Sequence, residues 1–144
     1  MSQNNALRAR FTDGALTTAS GPKVITMCYD RLDRDLAGAI DALELNDVST
    51  AHELLTHSQD IVHELLCMLD LDVWEHAPAL AAIYRYVTQL LVSANVHKRV
   101  TDAREARHLL GEIGDAFRQA AVGLASAPSS QQRPEPGRDF SVRA

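Results

Sequence analysis

Acidic residues and histidines at helical spacing are the side chains of this 144-residue chain that could do chemistry. Glu105 and His108 form a Glu-x-x-His pair, and Asp60 and His63 form an Asp-x-x-His pair. A di-iron site in a helical bundle needs two Glu-x-x-His pairs and two more inward-facing glutamates. Of the two helices that would supply those glutamates, one offers Glu44 and the other offers none. We therefore predict neither a metal site nor a cofactor.

Phosphotransfer through a histidine is the second chemistry to weigh. Such a module needs an exposed histidine, usually with a lysine nearby to support the phosphate, and His97-Lys98-Arg99 is the candidate run. It falls at the expected end of a helix, so surface histidines without a chemical role are the favoured interpretation. No Gly-rich phosphate loop, nucleophile elbow or His-Glu-x-x-His motif is found. We predict no catalytic residue and no enzyme; a phosphotransfer or metal-carboxylate bundle is the alternative.

Helices must position these groups, because apolar residues recur at three- and four-residue spacing. The capping signals are Ser20 or Gly21 with Pro22 in the first turn, and a capping box from Thr50 to Glu53. Short connectors then predict an all-α fold, an antiparallel four-helix bundle. The helices are expected to span roughly 22–45, 49–69, 77–96 and 101–124, with a start at Thr101 or Asp102 for the last.

The two ends of the chain differ from this bundle, which we place at residues 17–125. Residues 1–16 form a polar N-terminal arm or short helix, and residues 126–144 form a tail that is too polar to bury a core and is predicted to be disordered. Leu7 and Phe11 stand four apart on the arm, so one helical turn would place them side by side. We interpret them as a movable lid on the bundle, unless the arm is loose.

Some residues carry expectations about burial. Cys28 and Cys67 are both placed on apolar helix faces. We expect them to be reduced thiols that pack in the core of a protein from a reducing cytoplasm. Glu64 is placed on the wetter side of the second helix, and Trp74 is expected to anchor a connector over residues 70–78. Gly111, Gly114 and Gly123 in the last helix indicate either a weakly stable helix or a groove that another backbone approaches closely.

Charge and composition exclude several classes of partner. The net charge is −5, and because residues 1–19 and 126–144 each carry +1, residues 20–125 carry −7. An acidic bundle does not suit nucleic acid or an anionic membrane surface. No apolar run approaches the ~18 residues that a membrane span needs, and no signal peptide is recognised. We therefore predict a cytoplasmic protein that inserts into no membrane.

A run near the N-terminus resembles a known family. Phe11, six further residues and then Thr18-Ala19-Ser20-Gly21-Pro22-Lys23-Val24-Ile25-Thr26-Met27-Cys28-Tyr29-Asp30 are similar to the signature of the flagellin secretion chaperones, the FliS family. That signature reads roughly Tyr, six residues, Thr-Ala-Ser-Pro-x-Lys-Leu-Ile-x-Met-Leu-Tyr-Asp-Gly. Further similarity in residues 51–70 and 83–95 extends the resemblance over residues 7–121. The departures are Phe11 for Tyr, Gly21-Pro22 for Pro-x, and Arg31 for Gly.

The resemblance implies a cytosolic chaperone that is not an enzyme. It would bind the C-terminal segment of flagellin, which is disordered before assembly, prevent premature polymerisation, and assist delivery to the export gate of the flagellar type III apparatus. The predicted helices carry more apolar residues than one core-facing stripe needs. The surplus indicates a larger core, a homodimer face or a groove that binds the exported protein, the client. The expected partner-binding residues are Leu7, Phe11, Val24, Ile25, Met27, Cys28, Tyr29 and Leu66.

Overall fold

The computed structural model describes residues 21–125 as four helices in a ring. Each helix packs against two neighbours, in the pairs α1–α2, α2–α3, α3–α4 and α4–α1. The prediction of an all-α four-helix bundle is confirmed, and the expected bounds agree to within one or two residues. The arm, the tail, Leu7, Phe11 and Ser20 lie outside the described residues. The helices are α1 (Gly21–Glu44), α2 (Val48–Met68), α3 (Ala77–His97) and α4 (Val100–Ala125).

The core is built from the apolar positions that recur at helical spacing. A buried hydrogen bond crosses this core, since the hydroxyls of Tyr29 on α1 and Tyr84 on α3 lie 2.5 Å apart. The ring of Tyr29 also stacks on Phe117 of α4 with a centroid distance of 5.6 Å. Leu65, 3% exposed, belongs to this core. The largest fully buried side chains are Tyr84, Leu32, Leu36, Leu55, Ile61, Leu91, Val62 and Val87.

Gly114 marks the closest approach of α4 to α1. A Cβ atom at Gly114 would lie 3.2 Å from the Cβ, Cγ and Cδ1 atoms of Tyr29, tighter than ordinary van der Waals contact. A Cβ at Gly111 or Gly123 would meet nothing within 4 Å. Of the three glycines in the last helix, Gly114 is therefore a close-packing position inside the bundle.

The connector between α1 and α2 corrects the expected cap. Asn46 adopts a left-handed conformation with φ of 59°, and the Asp47 side chain accepts a hydrogen bond from the Thr50 backbone N–H at 3.2 Å. Asp47 is therefore the N-cap, and the predicted capping box from Thr50 to Glu53 is wrong. The asparagine tolerates φ > 0, and the aspartate one residue later reaches an otherwise unpaired N–H of the first turn.

The face of α2 that meets α1 also differs from the expectation. Leu54 and His57 contact α1, through Gly38 and Asp35 respectively, and Glu64 continues that stripe at helical spacing. Glu64 is therefore 3% exposed, and its Oε2 atom has no hydrogen-bond partner among the described residues. Cys67, three residues later, is exposed, with Sγ 3.6 Å from His63 Nε2. The placements of Glu64 and Cys67 from sequence are wrong.

Ion pairs line the seam where α1 meets α4. Arg107 of α4 binds Asp33 at 2.9 Å, Arg118 binds Asp30 at 2.5 Å, and Arg104 binds Glu44. These side chains are between about 40% and 55% exposed, so each pair contributes roughly 0–1 kcal/mol to stability. Buried packing, such as that of Tyr29 against Gly114 and Phe117, therefore contributes more to this seam than the ion pairs do.

Candidate partner-binding groove

An apolar groove runs along the surface between α3 and α4. It consists of two adjoining cavities of about 390 and 400 Å³ that share Glu112 and Ile113. Trp74, in the connector between α2 and α3, lines one end, and Tyr86 lines the other. We call this the α3–α4 groove. Its lining residues are Trp74, Leu80, Ala82, Ile83, Tyr86, Glu105, Leu109, Glu112, Ile113, Ala116, Phe117 and Ala120.

The shape of the groove follows from the sizes of its side chains. Ala116 and Ala120 stand one helical turn apart on α4, so they leave space beside the larger Phe117. On α3, Ile83 and Tyr86 lie off the buried stripe and remain 38% and 44% exposed. Apolar surface is thus held open to solvent by rigid helices, which suits the apolar face of a bound peptide.

Carboxylates form the polar rim of the groove. Tyr86 donates a hydrogen bond from its hydroxyl to Glu105 at 2.8 Å, and this bond raises the pKa of Tyr86. Glu112 lies 3.3 Å from His108, one turn earlier on α4. An apolar floor with two glutamates at its edge favours a segment that combines apolar anchors with basic residues.

The residues considered for chemistry are engaged in separate contacts. Glu105 binds Tyr86 and His108 lies beside Glu112, so the Glu-x-x-His pair does not converge on one point. Within residues 21–125, no three His, Cys, Asp or Glu side chains are grouped so that they could hold a metal ion. His97 is exposed at the end of α3. In the same range, no helix has the length and hydropathy required to cross a membrane.

A more polar pocket of about 200 Å³ lies on the other side of α4, against α1. Its lining includes Tyr29, Gly111, Arg107 and Arg118. Both guanidinium groups are bound by aspartates of α1, as described above. The pocket therefore belongs to the packing seam of α1 and α4.

The partner-binding residues expected on α1 and α2 fall in different environments. Val24, Cys28 and Tyr29 are 7%, 3% and 2% exposed, and Ile25 and Leu66 are partly buried against the core. Met27 is 59% exposed. Burial, reinforced by the nearby Glu64 charge, raises the pKa of the Cys28 thiol to about 11, so the thiol is neutral at physiological pH. Partner binding by these residues stays a prediction, and Met27 is the one with a freely accessible side chain.

The α3–α4 groove was missed from sequence. Its two walls belong to different helices, and α3 carries a single Asp, Glu, Lys or Arg residue, Arg85, that could mark a binding site. The available signal was Tyr86, an aromatic residue outside the stripe that contains Leu80, Ile83, Tyr84 and Val87. Ile83 was placed in that stripe from sequence, and the structure shows it 38% exposed. Trp74 was assigned to anchoring the connector; it is 43% exposed, contacts His76 edge-on, and lines the groove.

The chain is a four-helix bundle with an apolar surface groove, a combination typical of bundles that bind a peptide segment. The model of the family described as flagellar protein FliS matches residues 3–123. The chain therefore belongs to the FliS family of flagellar chaperones, as the resemblance in the sequence indicated. This is a chaperone family and not an enzyme family.

Two relatives extend this comparison. The flagellar secretion chaperone FliS of Bacillus subtilis (strain 168) is 26% identical over 110 residues, which span 76% of this chain and 82% of that protein. A crystal structure of a flagellar chaperone from bacteria superimposes with a TM-score of 0.67 at 19% identity, over 83% of this chain and 98% of the other. The second likeness establishes that the bundle is shared.

Proposed function

We propose that this protein is a flagellar secretion chaperone that acts in the cytosol. It binds the disordered C-terminal segment of flagellin, prevents premature polymerisation, and assists delivery to the flagellar type III export apparatus. The observation that carries this proposal is the α3–α4 groove, an exposed apolar surface on a member of a chaperone family. Chemistry on the client is not required, because blocking assembly needs only that the assembling segment be occupied.

The dimensions of the groove suit a helical client segment. From Glu105 to Ala120 the groove follows α4, a distance of roughly 22 Å at 1.5 Å per residue. A client helix of about 15 residues would cover it, with apolar side chains three and four apart directed at Ile113 and Ala116. Ordering such a segment typically costs 2–5 kcal/mol, which keeps the complex reversible for release at export.

Flagellin binding is tested by size-exclusion chromatography and titration calorimetry. We expect a complex with full-length flagellin and none with flagellin that lacks its C-terminal segment. Absence of a complex with the full-length protein would refute the proposed function. A complex that survives removal of the C-terminal segment would show that another part of flagellin is bound.

The groove itself is tested by one substitution and a matched control on the same helix. Ala116→Arg should weaken flagellin binding at least tenfold, about 1.4 kcal/mol, because the new side chain fills the groove from an exposed position. Gln119→Arg introduces the same residue three positions along, outside the groove lining, and should change the Kd less than twofold. Equal affinities for the two variants would exclude the groove as the binding site.

The face expected from sequence is tested in the same assay. Met27→Arg alters the exposed residue of the predicted α1 site. If Met27→Arg weakens binding and Ala116→Arg does not, the client occupies α1. If both weaken it, the client extends over both surfaces.

A further inference from the structure

We propose that the C-terminal segment of this chain, residues 126–144, occupies the α3–α4 groove when no client is bound. Phe140 is the apolar anchor in this arrangement, and the segment acts as an internal competitor for the groove. That the segment occupies the groove is argued from its length, composition and charge and does not depend on the function proposed above. Competition with flagellin rests on the function proposed above.

The first observation is the position at which the described helix ends. α4 is described to Ala125, and Ala120 lines the groove one helical turn earlier. Phe140 is the fifteenth residue after Ala125, so that it can lie up to about 50 Å from the helix end. The groove extends roughly 22 Å along α4. The segment can therefore turn back and place Phe140 at any point in it.

The second observation is the composition of the segment. Phe140 and Val142 are its two large apolar side chains, and their spacing of two places both on one face of an extended chain. Arg138 and Arg143 flank them and Asp139 precedes Phe140, so residues 138–143 carry a net charge of +1. This pattern of apolar anchors between basic residues is the kind of ligand that the apolar floor and acidic rim of the groove favour.

Charge complementarity is the third observation. The rim of the groove carries Glu105 and Glu112, and residues 20–125 carry −7 while residues 126–144 carry +1. Attraction between the flanking arginines and the rim would fix the position of Phe140 in the groove. Exposed pairs of this kind contribute orientation more than affinity.

Intramolecular attachment makes even a weak contact effective. A linker of this length gives an effective concentration of about 1 mM. A segment with an intrinsic Kd of about 0.1 mM would then occupy the groove about 90% of the time. Flagellin would have to displace it, so its apparent Kd would be about tenfold higher than for an unoccupied groove.

Trp74 allows the test on the intact chain without flagellin. It is the single tryptophan of the protein and lines the groove, so acrylamide quenching of its fluorescence reports how well the groove is covered. The measurement is made at one fixed pH, so that the imidazole of His76 stays in the same state. The ring centroids of His76 and Trp74 lie 5.5 Å apart in an edge-to-face arrangement. Phe140→Ala should raise the quenching constant about twofold. Gln132→Ala, in the same segment but without an apolar anchor, should leave it unchanged.

Two results would overturn the proposal. Equal quenching constants for the wild type and Phe140→Ala would show that the segment does not cover Trp74. A difference that disappears on dilution would show that the segment enters the groove of a second copy.

The flagellin assay separates this proposal from the proposed function. Phe140→Ala should tighten flagellin binding up to tenfold. If Trp74 responds to Phe140→Ala while no flagellin complex forms, the segment occupies the groove and the proposed function fails. If flagellin binds through the groove while Trp74 does not respond, the proposal about the segment fails alone.

Discussion

Gly114→Ala should destabilise the protein, although alanine is the better helix former. The new Cβ would lie 3.2 Å from three atoms of Tyr29. One of these is the Cβ of Tyr29, which no side-chain rotation can move. The ring is fixed as well, because its hydroxyl binds Tyr84 at 2.5 Å and its face stacks on Phe117. Relief therefore requires α1 and α4 to move apart.

The magnitude follows from two opposing effects. Replacing a helical glycine by alanine contributes about 0.5–1 kcal/mol of stability, whereas overpacking a core typically costs about 1–3 kcal/mol. Gly114→Ala should therefore lower the free energy of unfolding by up to about 2 kcal/mol. Gly111→Ala is the matched control on the same helix, since its Cβ would meet nothing within 4 Å. It should raise the free energy of unfolding by about 0.5–1 kcal/mol.

Urea denaturation followed by far-ultraviolet circular dichroism measures the difference. The two variants should differ by about 1–3 kcal/mol with similar m-values. Gly38→Ala offers an intermediate case, because its Cβ would meet the terminal Cδ1 of Leu54 at 2.9 Å, an atom that can rotate away. We expect its effect to lie between the other two. If Gly114→Ala stabilised the protein as much as Gly111→Ala, the tight Tyr29–Gly114 contact would be refuted.

Three further predictions concern the core. Leu65→Ala should lower the free energy of unfolding by about 2–5 kcal/mol in the same assay; a near-neutral result would place Leu65 on a binding surface. Burial raises the pKa values of Cys28 to about 11, of Tyr84 to about 12, and of Tyr29 still further. The folded state therefore favours the neutral forms, and the contribution of these three groups to stability should be constant below about pH 9 and fall above it by up to ~1.4 kcal/mol per pH unit for each group; equal stability at pH 8 and pH 11 would contradict this. Cys67 should react with a thiol reagent within seconds and Cys28 only on unfolding, because Cys67 is exposed and Cys28 is buried; a fast phase that persists in Cys67→Ser would disprove the assignment.

The helices could be predicted from the sequence because apolar spacing depends on one helix at a time. The N-cap of α2 was harder to predict than the helix itself. Asp47 and Thr50 are both good capping residues, and the choice between them depends on the path of the connector. The misplacement of Glu64 and Cys67 has a similar origin. Both residues lie at the same border of the apolar stripe of α2, three positions apart, and how far that border is covered is decided by the position of α1.

The candidate site depends still more on tertiary structure. The residues that carry the family signature, among them Val24, Cys28 and Tyr29, are conspicuous in the sequence, yet in the structure they are buried. Among them, Tyr29 contacts Tyr84 of α3 and Phe117 of α4. The groove instead combines Ile83 of α3 with Ala116 of α4, a pairing that appears only when the crossing of the two helices is known.

The ring of helices has a consequence for the order of folding. His57 and Asp35 join α1 to α2 across 22 residues of sequence, whereas Arg118 and Asp30 join α1 to α4 across 88. Closing the longer loop costs about 1.2 kcal/mol more entropy, since the length doubles twice. We therefore expect the hairpins α1–α2 and α3–α4 to form from local contacts before the α1–α4 seam closes. The tight contact of Tyr29 with Gly114 thus joins the first and the last of the four helices found in residues 21–125.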